Sequence, residues 1–422
     1  MTTTGLGARY WKLWTSAGLS NLADGVMKVA LPLVAIRYTD SPALIAGLSF
    51  AFTLPWLLFA LTAGALADRF DRRRLMLVAN AARALFLACL TIVSIAGAGS
   101  LLLLYAAALC IGVAETVYDT SSQSILPQLV PRDRLSRANG RLYAAELTAN
   151  EFVGPPLGGF LVATGVAFAF GAPALLWVVA IGVLLLVRGR FTTERTVRTT
   201  IRADIGEGLR FLGRNTLLRT LAIMVGVFNF ASSAVFTVFV LYAAGPQSTM
   251  KLSDPAYGLL LTFSAIGSVL GTFLAEPAER LLGRSRALAL TIAGSLLTIA
   301  TPGFTDNPFV IGAGLLIGGV TVSIWNVITV SLRQRITPTR LLGRLNSAYR
   351  LLAWGTMPLG AIAGGLLGQL LGVRWVFLIM GLLVVLQLIP MLWVTNRRMD
   401  EAEAAVEAEE AAAEASVDAT ER

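Results

Sequence analysis

From residue 13 to residue 394 the chain alternates between apolar runs of 15 to 30 residues and short segments rich in Arg, Asp, Gly and Pro. A helix rises 1.5 Å per residue and the hydrocarbon core of a bilayer is about 30 Å thick, so about 20 apolar residues cross it. Runs of suitable length lie at 13–37, 44–66, 75–98, 101–126, 135–164 and 167–187. They resume at 217–242, 256–275, 287–301, 309–332, 345–371 and 373–394. The ninth is the shortest and ends at Pro302–Gly303. Only helices or closed barrels satisfy their backbone inside lipid, and these runs are too long and too evenly apolar for barrel strands. The pattern predicts an all-α membrane protein with 12 transmembrane helices.

Composition agrees. Of 422 residues 56% are apolar and 14% charged, with mean hydropathy +0.72, which excludes an ordinary soluble protein and a disordered one. The net charge of +9 sits in short basic clusters between apolar runs, not in a patch interleaved with aromatics, so nucleic acid is not an expected partner. The first flank, the even-numbered connections and the flank after the twelfth run carry 28 Lys or Arg. The odd-numbered connections carry three, Arg37, Lys251 and Arg374. The positive-inside rule then places both termini in the cytoplasm of a multi-pass protein of the cytoplasmic (inner) membrane. The first apolar run is too long for a cleavable signal peptide. Cys89 and Cys110 both lie within apolar runs, which leaves neither a disulfide framework nor a metal site. With no histidine anywhere, proton chemistry has to run on carboxylates. No cofactor motif, phosphate-binding loop or nucleophile–base pair occurs, so an enzyme is not expected and ATP is not the direct energy source.

The chain repeats. A shift of 207 residues pairs Gly64 with Gly271, Gly112 with Gly319, Ser124 with Ser331 and Pro131 with Pro338. It also pairs Arg137 with Arg344, Asn139 with Asn346, Gly158 with Gly365 and Phe170 with Phe377. A Pro, an Arg and an Asn keep one register through a polar connection, so the runs form two six-helix pseudo-repeat halves, residues 1–187 and 217–396. A parallel repeat of this kind predicts a cavity at their interface near mid-bilayer. The connection 188–216 places Ile201, Ile205, Leu209 and Leu212 on one helical face, as in an amphipathic surface helix or an ordinary linker helix. Residues 397–422 form an acidic cytoplasmic tail, read as solvated frayed helix or disorder.

The stretch GALADRFDRRR at 64–74 resembles the signature loop of the major facilitator superfamily, and GPPLGG at 154–159 resembles its helix-5 antiporter motif. Segments such as LPQLVPRDRLSRANG are similar to the macrolide-efflux and enterobactin-exporter branch. The resemblance spans residues 10 to about 396. It implies that Gly64, Asp68, Arg69, Arg72 and Arg73 gate the protein, with Asp71 standing where the superfamily often has Gly. Physically, carboxylates there can cap a helix of the opposite half and guanidiniums can bridge neighbouring carboxylates; plain anchoring explains the arginines but not Asp68 and Asp71. It also implies that Gly154, Pro155, Gly158 and Gly159 favour export, although they equally suit a helix-packing kink. In the superfamily the first, fourth, seventh and tenth helices line the pathway.

A charge at the bilayer centre costs about 2.5–3.5 kcal/mol even on the mildest scale. The first run nonetheless carries Asp24 and Lys28, and the fourth carries Glu115 and Asp119, each pair at i, i+4 and hence on one face. Asp24 and Glu115 both stand 11 residues from the cytoplasmic ends of their runs, about 16 Å deep. These four form the expected proton-coupling group, because two carboxylates on one helix exceed what one lysine neutralises. A fixed ion pair between the first and fourth helices is the plainer alternative. Arg83 and Glu146 are expected to form a structural ion pair. Asn21, Tyr118, Asn229, Trp325 and Asn326 are candidates for lining a substrate cavity. Together these features lead to a monomeric, proton-coupled exporter of an amphipathic small molecule such as a drug or siderophore. A lipid-moving or uptake transporter is the alternative within the class, and a receptor or scaffold acting through the acidic tail is the alternative outside it.

Overall fold

The computed structural model describes residues 6–131, 134–189, 191, 201–245, 247–338 and 341–421. They are helical almost throughout. No strand occurs among them, only an isolated bridge between Ala244 and Leu252. The first half comprises α1 (Ala8–Ala35), α2 (Pro42–Arg69), α3 (Arg72–Ile95), α4 (Leu101–Ile125), α5 (Leu135–Leu147), α6 (Gly154–Thr164) and α7 (Val166–Leu185). Then α8 (Ile201–Arg214) leads to α9 (Thr216–Ala243), α10 (Asp254–Leu282), α11 (Arg284–Phe304), α12 (Pro308–Arg335) and α13 (Leu342–Leu371). The chain ends in α14 (Val373–Val385), α15 (Leu388–Met391) and α16 (Asn396–Glu421).

Among the described residues ten helices are long and apolar enough to cross a membrane. The expected first and fifth crossings, α1 and the α5–α6 segment, fall outside that set, and these two carry Asp24, Lys28, Glu146 and Glu151 along their length. The ninth helix exceeds its apolar run at both ends, because Pro302 is accommodated inside α11 rather than ending it. Starts are fixed by side chains: Ser41, Ser100 and Asn307 accept backbone N–H groups of Leu44, Leu103 and Phe309, satisfying donors that the first turn leaves free. Large apolar side chains such as Leu102, Leu175, Phe273 and Leu370 point outward and are exposed, as expected where lipid is the solvent.

Two compact units emerge. One comprises Met1–Thr196, Phe236–Ala265 and Ala361–Arg374; the other comprises Val197–Val235, Ile266–Gly360 and Trp375–Arg422. The end of α9, the start of α10 and the end of α13 thus pack within the first of these units. Within this first unit α2 packs on α4, α3 on α4 and α7, and α1 on α6 and α7.

In the second unit the acidic tail is helical, one of the two expected forms, and its first turns are docked rather than solvated. Met399 is fully buried, Asn396 Oδ1 accepts the Ser285 N–H at 2.8 Å, and Arg284 bonds both Asp400 and Glu403. Arg335 adds a longer contact of 3.7 Å to Glu403. Tail carboxylates thus answer the arginines at the start of α11 and the end of α12. Because the pairs are partly exposed, deletion of residues 400–422 is expected to cost only on the order of 1 kcal/mol, with most of the difference vanishing in about 0.5 M salt. Thermal unfolding at low and high salt checks this.

Candidate functional site

The first unit holds a buried polar cluster on α1, α3, α4 and α5. Arg83 is fully buried and its Nη1 donates to Asp24 Oδ1 at 2.6 Å, with Asp24 also buried. The guanidinium lies between two rings, 5.1 Å from the Tyr118 centroid and 5.3 Å from that of Trp177, a geometry suited to a desolvated cation. This corrects the expected Arg83–Glu146 pair. Asp24 and Glu146 stand equally far along their runs, and Arg83 meets Asp24. Glu146 makes no ion pair among the described residues. Lys28 pairs with Glu151 at 2.6 Å; both side chains are substantially open.

Glu115 and Asp119 have no ion pair among the described residues. Glu115 is 8% exposed, and its Oε2 lacks a hydrogen-bond partner; Asp119 is half-buried. Both lie within electrostatic reach of Arg83, whose Nε and Nη2 carry no partner. The cluster therefore sets the carboxyl groups at positions 24, 115, 119, 146 and 151 against the cations of Lys28 and Arg83.

Asn21 and Tyr118 are not free to line a cavity. Asn21 donates to the Ala17 carbonyl at 2.9 Å, and Tyr118 is sealed over Arg83. Asn229, Trp325 and Asn326 do converge on a pocket within the second unit. A larger groove of about 670 Å³ opens between α1 and α5, lined by Trp11, Trp14, Leu19, Leu22, Arg141 and Val153. There Arg141 stacks on Trp11 at 5.3 Å and its carbonyl accepts from Trp14 Nε1, so the groove is apolar with one cationic edge.

The helix-5 motif is a joint. A π-helical turn at Thr148–Val153 interrupts the rod before Pro155 and Pro156 restart it. A Cβ on Gly25 would lie 2.5 Å from the Asn150 carbonyl oxygen, and one on Gly154 would lie 2.6 Å from Gly25 Cα. Further along, Gly159 and Gly258 present their missing side chains to the Asp254 and Pro155 carbonyls respectively. Arg37 closes the same joint, donating to Asp254 at 2.9 Å and to the Val162 carbonyl at 3.1 Å. Gly159→Val is thus expected to destabilise the protein by about 1–3 kcal/mol. Gly64→Ala, with open space around Gly64 inside α2, should hold or slightly raise the melting temperature.

In the 2–3 loop the arginines cap a neighbour. Asp71 caps its own helix through Arg74 N–H at 3.0 Å and accepts Phe191 N–H at 2.8 Å. Arg73 donates to the Leu184 and Leu185 carbonyls, and Arg72 to that of Ala67. Cations at the negative end of α7 are favourably placed. The N–H groups that Asp71 reaches belong to α3 and to Phe191. Arg69 is exposed, and the side chain of Asp68 lies outside the described residues, as do those of Ile201 and Ile205 on the linker helix. Sequence reasoning missed Gly25, Asp254 and Trp177; a glycine opposite GPPLGG was the available signal for the first.

Ten helices long and apolar enough to cross a membrane, some of them carrying buried charge, define a multi-pass membrane protein. Residues 8–421 match the family described as transmembrane secretion effector, and the chain belongs to that family of the major facilitator superfamily. It is 27% identical over 395 residues, covering 87% of this chain and 90% of the relative, to the multidrug efflux pump Tap of Mycolicibacterium fortuitum. It is 26% identical over 336 residues, 78% of each chain, to the enterobactin exporter EntS of Salmonella choleraesuis. Among solved structures, the nucleoside transporter NupG aligns with TM-score 0.74 at 12% identity, covering 92% of this chain and 98% of the other. A bacterial homologue of the iron transporter ferroportin, in an inward-facing state, aligns at 0.70 and 17%, covering 91% and 98%. These structural likenesses concern the fold.

Proposed function

We propose that the protein is a proton-coupled antiporter that exports an amphipathic, cationic small molecule across the cytoplasmic membrane, working as a monomer with both termini inside. The observation that carries this is the acid excess of the first unit. Asp24 and Glu151 each hold a cation, whereas Glu115 and Asp119 hold none among the described residues. An unpaired carboxylate in low dielectric is too costly to remain ionised and uncompensated, so it takes a proton, a cation or a guanidinium. Arg83 has two idle donors facing that choice. With Glu115 and Asp119 protonated, Asp24 keeps Arg83; when they lose protons they compete for it or for a cationic substrate. Occupancy by proton and by substrate is then exclusive, which is the requirement of exchange.

Export also requires that the Gly159–Gly258 joint and the Arg37–Asp254 pair separate in the alternate state. One ion pair and a glycine seam suit a contact that must form and break. The groove of Trp11, Trp14 and Leu22 suits an apolar body. Relatives named as a multidrug pump and an enterobactin exporter support export as the direction.

The test is accumulation of ethidium and rhodamine 6G in cells with and without the gene, before and after collapse of the proton gradient. Lower accumulation that disappears with the gradient is expected. Equal accumulation across a panel of cationic, zwitterionic and anionic compounds would overturn the export reading.

A further inference from the structure

The second unit encloses a pocket where the first encloses Arg83. The 207-residue shift brings Trp325 to the position of Tyr118, Asn326 to that of Asp119, and Val384 to that of Trp177. In the first unit the two rings grip a guanidinium; in the second the indole of Trp325 remains but a valine replaces the facing ring. The space left is a cavity of about 80 Å³ among α9, α11, α12 and the break between α14 and α15. A water needs about 10–15 Å³ of such space, so the cavity has room for a small functional group or a few waters.

Its chemistry is one-sided. Asn326 is exposed at the rim, and Thr291, Ser295 and Gln387 are buried at the floor. Gln387 is 7% exposed, and among the described residues its Nε2 has no partner; nor has Trp325 Nε1. One N–H of Asn229 Nδ2 is given to the Ala353 carbonyl and the Thr291 hydroxyl to that of Leu288. No charged side chain among the described residues lines the pocket. Two buried N–H donors left idle around an uncharged space call for an acceptor.

We propose that this pocket is a binding subsite for an uncharged hydrogen-bond acceptor, an ester or amide carbonyl carried by the transported molecule, held by Gln387 Nε2 and Trp325 Nε1. The proposal rests on the transport reading and deepens it by naming a neutral group that the cargo carries. The substrate class becomes a lipophilic cation that bears a carbonyl side group.

The experiment uses purified full-length protein in nanodiscs and two dyes, rhodamine 6G, a xanthene cation with an ester, and pyronin Y, a related cation without one. Equilibrium binding is followed by fluorescence anisotropy for wild type, Gln387→Leu and the pocket-filling Val384→Phe. Both variants should bind rhodamine 6G about tenfold more weakly and pyronin Y as wild type does, which also shows that they are folded. Unchanged rhodamine 6G binding in both variants, or equal losses for both dyes at an unchanged melting temperature, overturns the subsite. If Gln387→Leu melts early, Gln387→Met, which removes the donor but keeps length and carries no charge, must still separate the dyes. Export of rhodamine 6G by cells carrying these variants at wild-type affinity sinks the subsite and leaves the exporter standing. A wild type that neither binds nor exports either dye overturns both.

Discussion

Replacing Glu115 by Gln and Asp119 by Asn together abolishes export driven by a pH gradient in proteoliposomes, while the protein folds with a melting temperature at or above that of wild type. The two expectations have one cause. Each carboxyl group lies in a helical interior without an ion pair among the described residues, and the Oε2 of Glu115 has no hydrogen-bond partner. An amide of the same shape removes the cost of burying a charge and leaves the packing intact. What it removes is the group that exchanges protons. Substrate exchange without a gradient persists in the variant, because the pathway itself remains. Gradient-driven accumulation falls by at least about a hundredfold, since the driving force is no longer coupled to the cycle. A variant that loses folding instead of coupling would identify both acids as structural.

The second large effect concerns Asp24 and Arg83. Either Asp24→Asn or Arg83→Leu leaves the other charge buried without its partner, at a cost of about 3–5 kcal/mol, a large share of total stability. Both single variants are expected to yield little folded protein in detergent, with melting temperatures well below wild type. The double variant Asp24→Asn/Arg83→Leu recovers most of that loss, because no uncompensated charge remains and the rings of Tyr118 and Trp177 can close on an apolar side chain. A non-additive cycle of several kcal/mol marks the pair as a unit. Single variants that melt with wild type would show that this interior is hydrated well enough for either charge to stand alone.

Much of the fold was legible because lipid imposes a simple code. Run length marked most of the helices, ten of which among the described residues are long and apolar enough to cross a membrane. Glycines showed where backbones touch: Gly154, Gly158 and Gly159 all meet a neighbouring chain segment. The composition of the site was legible too, since Asp24, Lys28, Glu115, Asp119 and Arg83 drew notice as charges inside apolar runs. Their pairing was not. Asp24 and Glu146 each stand 11 residues from the starts of their runs, so position along the run offers Arg83 two partners and does not choose between them. The i, i+4 rule relates residues along one helix and says nothing about which neighbour that face meets; Lys28 accordingly pairs with Glu151 of the fifth run rather than with a carboxylate of the fourth. The docking of the tail was hidden for a related reason. Its Ala/Glu composition suits solvent, and the arginine that holds Asp400 and Glu403 lies more than a hundred residues away at position 284.

Coupling between substrate and proton at Glu115 and Asp119 is tested most directly by counting protons. Purified transporter in weakly buffered detergent solution with a pH-indicating dye is mixed with rhodamine 6G, and the pH change is recorded for wild type and for Glu115→Gln/Asp119→Asn. Wild type should release protons as the cation binds, and the double variant should bind the dye without release. Proton release of equal size from both proteins, or none from a wild type that binds the dye, would contradict the account.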